Sequence, residues 1–194
     1  YSNANVVMLK LINTLLRRTN ENKFKKLDKT ILIFGSPRSG TTWFVEMTQD
    51  ITKNIYIHEP LFKGRTKDID ALNFNWHQYL PPNAYSKELH DFFYRLRTGQ
   101  VLNPELLSLN GGNFELSKAE YLIIKGVRGG LLLPWIMKQF RLAIKPIYIY
   151  RHPCAVISSQ LRHNAWNYVY GLKYPYRYRA PNGLHKEFYE PLEC

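Results

Sequence analysis

Apolar residues along this chain occur in two patterns, short continuous runs and a three-to-four-residue repeat, and the alternation between them divides the sequence into elements. Thr30 to Phe34 is an apolar run closed by Gly35, Ser36 and Pro37, which predicts a buried strand, a turn and then a helix from about Gly40 to Ile51. Ile55 to Ile57, Tyr121 to Lys125 and Pro146 to Tyr150 repeat the short-run pattern and predict three further strands. Between the last two, Leu131 to Arg141 carries helical spacing. Strand, helix and strand at these lengths imply parallel pairing. After Arg151 the helical pattern returns, with Pro153 suited to a first turn, until about Trp166. Ser86 is a helix cap followed by a helical run through Arg97. Met8, Leu11, Ile12, Leu15 and Leu16 mark an amphipathic helix over residues 5–17, whose apolar face is expected to pack on the core. Glu59 to Pro82 is polar and aromatic without a period and reads as a loop able to cover a site. The expected fold is a three-layer α/β domain with a mostly parallel central sheet flanked by helices and a P-loop-like phosphate-binding loop.

Length and charge narrow the picture further. The 194 residues, 45% hydrophobic and 22% charged, suffice for one domain with a sizeable core. Residues 1–194 are read as that single domain, cut short at its C-terminus. A formal charge of +12 suits an anionic ligand, because a one-signed surface concentrates anions. It does not choose between a nucleotide, a nucleic acid, a membrane surface and an acidic glycan. Cys154 and Cys194 are too few for a disulfide framework and belong to no metal-spaced cluster. A reducing, cytoplasmic location is expected, with a Golgi-lumenal or membrane-anchored one if a segment upstream is missing. No run is long and apolar enough for a membrane span, since Lys10 and Asn13 interrupt Val6 to Leu16.

Two stretches carry chemistry. Gly35-Ser-Pro-Arg-Ser-Gly-Thr-Thr42 follows a predicted strand and opens a helix, the setting in which backbone N–H groups and the helix dipole converge on a phosphate. Its spacing is that of a P-loop, but Thr41 stands where the lysine belongs. Arg38 offers positive charge from within the loop. The same residues also fit an ordinary strand-to-helix turn. Farther on, Pro146-Ile-Tyr-Ile-Tyr150 runs into Arg151-His-Pro153, so a cation stands at a strand end where a nucleoside triphosphatase would need an aspartate for Mg²⁺. Two anion sites at strand ends suit a ligand with two separated phosphates better than a linear triphosphate.

On these residues the chain resembles a known family. Ser36-Pro-Arg-Ser-Gly-Thr-Thr-Trp43 looks like the 5′-phosphosulfate loop, usually written PKSGTTW, of the sulfotransferases that use 3′-phosphoadenosine 5′-phosphosulfate (PAPS). Tyr150-Arg-His-Pro-Cys-Ala-Val-Ile-Ser-Ser159 resembles their 3′-phosphate motif. His152 departs from the Asp or Asn of many members. The resemblance covers about residues 28–165. It implies that Arg38, Ser39, Gly40, Thr41 and Thr42 grip the 5′-phosphosulfate, that Trp43 lies near the adenine, and that Arg151 with Ser159 holds the 3′-phosphate. Lys125 resembles the family lysine that approaches the bridging or sulfuryl oxygens, and with Arg38 it would stabilise developing charge. Cytosolic members place a catalytic histidine two positions later; here that residue is Val127.

A base must then come from elsewhere. His58-Glu-Pro-Leu61 contains a Glu-Pro-Leu segment similar to one in carbohydrate sulfotransferases, where a carboxylate is the proposed base. Glu59 is the assignment and His58 the alternative; a turn-capping Glu59, or one paired with Arg65 or Lys67, is the structural competitor. The expected reaction is sulfuryl transfer from PAPS, without a metal, to a hydroxyl-bearing acceptor, either a glycan or a small molecule. No nucleic acid is expected as a partner. The competing classes are a P-loop nucleotide kinase or triphosphatase, a basic nucleic-acid-binding module that would use the tyrosines of residues 166–189, and an inactive donor-binding remnant.

Overall fold

The computed structural model describes residues 29–49, 53–72, 74, 78–102, 106–107 and 119–163. The amphipathic stretch at residues 5–17 and the tyrosine-rich stretch at 166–189 lie outside them. Four strands form one sheet: β1 (Thr30–Gly35), β2 (Asn54–His58), β3 (Tyr121–Gly126) and β4 (Ile147–Ile149). All pair in parallel, in the order β2-β3-β1-β4. The helices are α1 (Thr41–Gln49), α2 (Lys67–Ala71), α3 (Lys87–Arg97), α4 (Leu133–Gln139) and α5 (Pro153–Leu161), with a 3₁₀ turn at Gly130–Leu132 leading into α4.

The strand order explains the layers. The chain passes from β1 over β3 to reach β2, and later from β3 over β1 to reach β4. These crossovers run in opposite directions, so right-handed connections set their helices on opposite faces of the sheet. Side-chain alternation follows the same division. Leu32, Phe34, Ile55, Ile57, Leu122 and Ile124 face one side and pack with Phe92 and Leu96 of α3 and Trp135 and Ile136 of α4. Ile33, Tyr56 and Ile123 face the other side and pack with Val45 of α1. The α/β layered architecture expected from the sequence is therefore the one observed.

Local signals account for the elements. The Ser86 hydroxyl accepts from Leu89 N–H at 3.3 Å and caps α3, whose Leu89, Phe92, Phe93 and Leu96 form its buried stripe. The loop expected over 59–82 contains the short helix α2, capped by Thr66, whose hydroxyl accepts from Ile69 N–H. The stretch read as one helix from Leu131 to Arg141 begins as the 3₁₀ turn and stops at Gln139, because buried Phe140 turns extended. Helix α5 starts at Pro153 as expected and closes at Leu161.

Candidate functional site

Parallel pairing puts the carboxyl ends of all four strands along one edge, the place where open α/β sheets bind ligands. Gly35 ends β1 there, and only a glycine fits. A Cβ on it would stand 2.4 Å from the Ile149 carbonyl oxygen, 2.8 Å from Ser39 Oγ and 2.8 Å from Thr41 Cγ2. β1, β4 and the following loop thus meet over an absent side chain. The loop turns with Ser39 N–H donating to the Ser36 carbonyl at 3.1 Å. Arg38 and Gly40 both take positive φ, 68° and 98°.

Helix α1 begins directly after this loop, and Phe44 N–H donates to the Gly40 carbonyl at 3.0 Å as its first bond. The preceding N–H groups, at Thr41, Thr42 and Trp43, have no carbonyl one turn back to receive them. Beside them Ser39 is only 7% exposed, and its hydroxyl has no hydrogen-bond partner. A buried hydroxyl without a partner costs about 1–3 kcal/mol. An anion seated on the loop would satisfy both the hydroxyl and the helix N–H groups, so the residues present fit a phosphate or sulfate ester. Thr41 is buried, Thr42 half-buried, and Trp43, 64% exposed, leaves its ring open to solvent.

The second motif reaches the same loop. Arg38 Nε donates to Ser159 Oγ on α5 at 3.1 Å, and an Arg151 Nη1 contact to the Arg38 carbonyl measures 3.5 Å. The two stretches singled out from the sequence, more than a hundred residues apart, are brought together. The contact holds the Arg38 side chain against Ser159.

On the next two strands lies a buried ion cluster. Glu59 follows β2 at φ 49°, a left-handed conformation that costs a glutamate on the order of 1 kcal/mol or more. Its N–H donates to the Lys125 carbonyl at 2.8 Å. Lys125 Nζ donates to Glu59 Oε1 at 2.6 Å, Val127 N–H lies 3.2 and 3.1 Å from the two carboxylate oxygens, and Arg128 Nη1 donates to Oε2 at 3.3 Å. The Arg128 guanidinium rests 4.1 Å above the Phe62 ring. Glu59 is therefore partnered by Lys125 and Arg128, not by Arg65 or Lys67. The strand register explains why: His58 pairs with Lys125, so the residues just beyond each strand end face one another.

His58 is less available. Its Nδ1 lies 2.6 Å from the Tyr56 hydroxyl. Burial, and then the Lys125 charge, depress its pKa to about 4, so the ring is neutral at pH 7. Burial also raises the Tyr56 pKa, with Glu59 and Glu46 adding to the effect; its phenol stays protonated. Arg128 and the Val127 N–H were not singled out from the sequence. The one signal for them was their position just past the Lys125 strand end.

Among the described residues, no group of three or more His, Cys, Asp or Glu side chains could hold a metal ion. No helix among them is long and apolar enough to cross a membrane. Compared with models of protein families, with curated proteins and with solved structures, the chain matches none.

Proposed function

We propose that this protein transfers a sulfuryl group from PAPS to an acceptor hydroxyl. The observation that carries this reading is the meeting of Arg38, Ser159 and Arg151 beside a loop whose buried Ser39 hydroxyl and α1 N–H groups want an anion. Two anion sites side by side suit a 3′,5′-substituted nucleotide. A linear triphosphate with Mg²⁺ would call for a lysine at position 41 and an aspartate near Arg151, and neither is present.

In this reading the loop and the α1 N-terminus hold the 5′-phosphosulfate, and Trp43 offers its exposed ring to the adenine. The acceptor oxygen bonds to sulfur as the bond from sulfur to the phosphate oxygen breaks, and adenosine 3′,5′-bisphosphate leaves. Lys125, fixed on Glu59 at 2.6 Å, supplies positive charge where the sulfuryl and leaving oxygens gain negative charge. Glu59 takes the acceptor proton on Oε2, whose contacts of 3.1 and 3.3 Å are looser than the Lys125 contact on Oε1. The acceptor is a glycan or small-molecule hydroxyl.

Thermal unfolding with added ligand tests this reading. Adenosine 3′,5′-bisphosphate should raise the melting temperature more than ATP with Mg²⁺ or single-stranded DNA does. A larger shift with ATP would favour a nucleotide kinase or triphosphatase. A larger shift with DNA that disappears with salt would favour a nucleic-acid-binding module.

A further inference from the structure

We infer that the acceptor is itself an anion: the exposed Phe62 ring, with Arg65 and Arg128 beside it, forms a cradle for a hydroxyl compound that carries a carboxylate or sulfate ester next to a ring with an apolar face. This names the acceptor class for the sulfuryl-transfer reading above and rests on it. Place in the sheet is the first ground. With the order β2-β3-β1-β4, the ends of β1 and β2 are separated by β3, two strand spacings or about 10 Å. Glu59 and Phe62 follow β2, so on the donor reading they lie across β3 from the phosphate loop, where an acceptor would enter.

The chain holds Phe62 there by its backbone. Phe62 N–H donates to the Glu59 carbonyl at 3.0 Å and Arg65 N–H to the Phe62 carbonyl at 3.0 Å, two successive turns that begin at the assigned base. Gly64, at φ 88°, lets the second turn close and donates its N–H to Asp70 Oδ1 at 2.7 Å. Leu61 is buried in the core, whereas Phe62 next to it is 43% exposed. The loop thus opens an aromatic face to solvent close to a buried carboxylate, and such a face can receive the apolar side of another ring.

Charge is the second ground. The Arg128 guanidinium lies 4.1 Å and the Arg65 guanidinium 5.9 Å from the Phe62 ring centre. The Glu59 carboxylate is shared by Lys125 and Arg128, so its own charge is met and offers an incoming anion little repulsion. The acidic residues of α2 have contacts of their own: Asp68 pairs with Arg95, and Asp70 accepts from Gly64 N–H. The positive surplus reaches His58, whose pKa is lowered first by burial and then by Lys125, Arg65 and Arg128, with Glu59 opposing them. Three cations against one carboxylate favour an anionic partner. Arg65 is half-buried, and its planar fork of N–H donors matches a carboxylate or sulfate.

Acceptors matched except for the charge test this. Label transfer from PAPS by the whole 194-residue chain is measured for methyl glucuronide against methyl glucuronamide, and for para-hydroxybenzoate against para-hydroxybenzamide. In at least one pair the acid should exceed its amide by about 10- to 100-fold in kcat/KM. Preference for the glucuronide would mark a glycan acid as the acceptor, and preference for the hydroxybenzoate a phenolic acid. Arg65→Ala should lower the acid by about 10- to 100-fold and the amide by less than about 3-fold, with Arg65→Lys between. Phe62→Ala should lower acid and amide alike, because stacking does not read the charge. Calorimetry with each acceptor, on protein saturated with adenosine 3′,5′-bisphosphate, gives binding independently of turnover. Transfer to acid and amide at equal rates would overturn the inference and leave the donor reading standing. An Arg65→Ala protein that keeps the full preference, or a protein that holds the bisphosphate but binds neither acid, would overturn the inference too. A protein that does not bind PAPS ends the donor reading, and the inference falls with it. Phe62 is exposed and Arg65 half-buried, so these variants should fold, and circular dichroism checks that they do.

Discussion

Replacing Glu59 with alanine removes a carboxylate shared by buried Lys125 and half-buried Arg128, and the size of the loss can be worked from the geometry. The Lys125 and Glu59 side chains are 5% and 7% exposed, and Arg128 is 11% exposed. A surface pair would be worth less than about 1 kcal/mol, but removing one partner of a buried pair leaves a charge without compensation and costs about 3–5 kcal/mol. For a chain of this length each kcal/mol shifts the melting temperature by about 2–4 °C, so Glu59→Ala should melt roughly 6–20 °C below wild type. Glu59→Gln is nearly isosteric but not equivalent. One of its two terminal atoms becomes an N–H donor that must face Lys125, Val127 N–H or Arg128. We expect it to lose about 1–3 kcal/mol, hold PAPS, and fall in turnover by roughly 10²-fold or more if Glu59 is the base. Urea titration followed by circular dichroism gives the stabilities, and label transfer from PAPS to a screen of glycans and small alcohols gives the turnover. A Glu59→Ala protein within about 1 kcal/mol of wild type would show that water screens the cluster and that its burial has been overvalued. A Glu59→Gln enzyme with near-normal turnover would remove Glu59 as the base.

Three other expectations follow from single contacts. Arg151→Ala should weaken PAPS by about 10- to 100-fold while sparing adenosine 5′-phosphosulfate; calorimetry with both nucleotides checks it, and equal losses would take Arg151 out of the 3′-phosphate site. The unfolded chain takes up a proton at His58 near the ordinary pKa of about 6.5, whereas the folded protein resists until about 4, so the unfolded state binds more protons in between. Stability should therefore fall as pH drops from about 6.5 toward 4, and urea midpoints across that range should show a shallower fall in His58→Asn; an unchanged slope would contradict this. Gly35→Ala should destabilise the protein by about 1–3 kcal/mol and lower bisphosphate binding in the same thermal-unfolding assay, because the new methyl collides with the Ile149 carbonyl and with Ser39 at the loop.

What could be read from the sequence was local. The four strands stood out because β-branched and aromatic runs ended abruptly at Gly, Pro or a charged residue, and Ser86 marked its helix by the preference of a hydroxyl for open N–H groups. Helix α2 escaped notice because five residues are too few to establish a 3.6-residue period. Strand order was beyond reach as well. β3 and β4 are consecutive in the sequence, yet β1 lies between them, and no local pattern records a crossover. The site divides in the same way. Motif resemblance marks Arg38, Ser39, Arg151 and Ser159 as candidates, but for Glu59 the sequence offers only the neighbours Arg65 and Lys67, while its partners are 66 and 69 residues away. Once His58 is known to pair with Lys125, that partnership follows directly.

The same register bears on the missing P-loop lysine. Thr41 is buried, and its methyl Cγ2 stands 2.8 Å from where a Gly35 Cβ would be, so the space beneath the loop is already filled. A lysine at position 41 would have to extend outward or displace the β1 end. On the proposed reading the cation comes from the neighbouring strand instead. Lys125 pairs with Ile33, two residues before Gly35, and Glu59 fixes its ammonium rather than leaving it to swing as a flexible stem would. A charge held by a rigid strand and an ion pair needs little reorganisation as the reaction proceeds, which is what electrostatic stabilisation of a transition state requires. The cost is that the chemistry depends on Glu59, so the carboxylate assigned to take the proton also orients the positive charge. Lys125→Met with Glu59 intact separates these roles: donor affinity should change little, turnover should fall, and the fall should persist with a phenol acidic enough to be ionised at neutral pH, where a base is no longer needed.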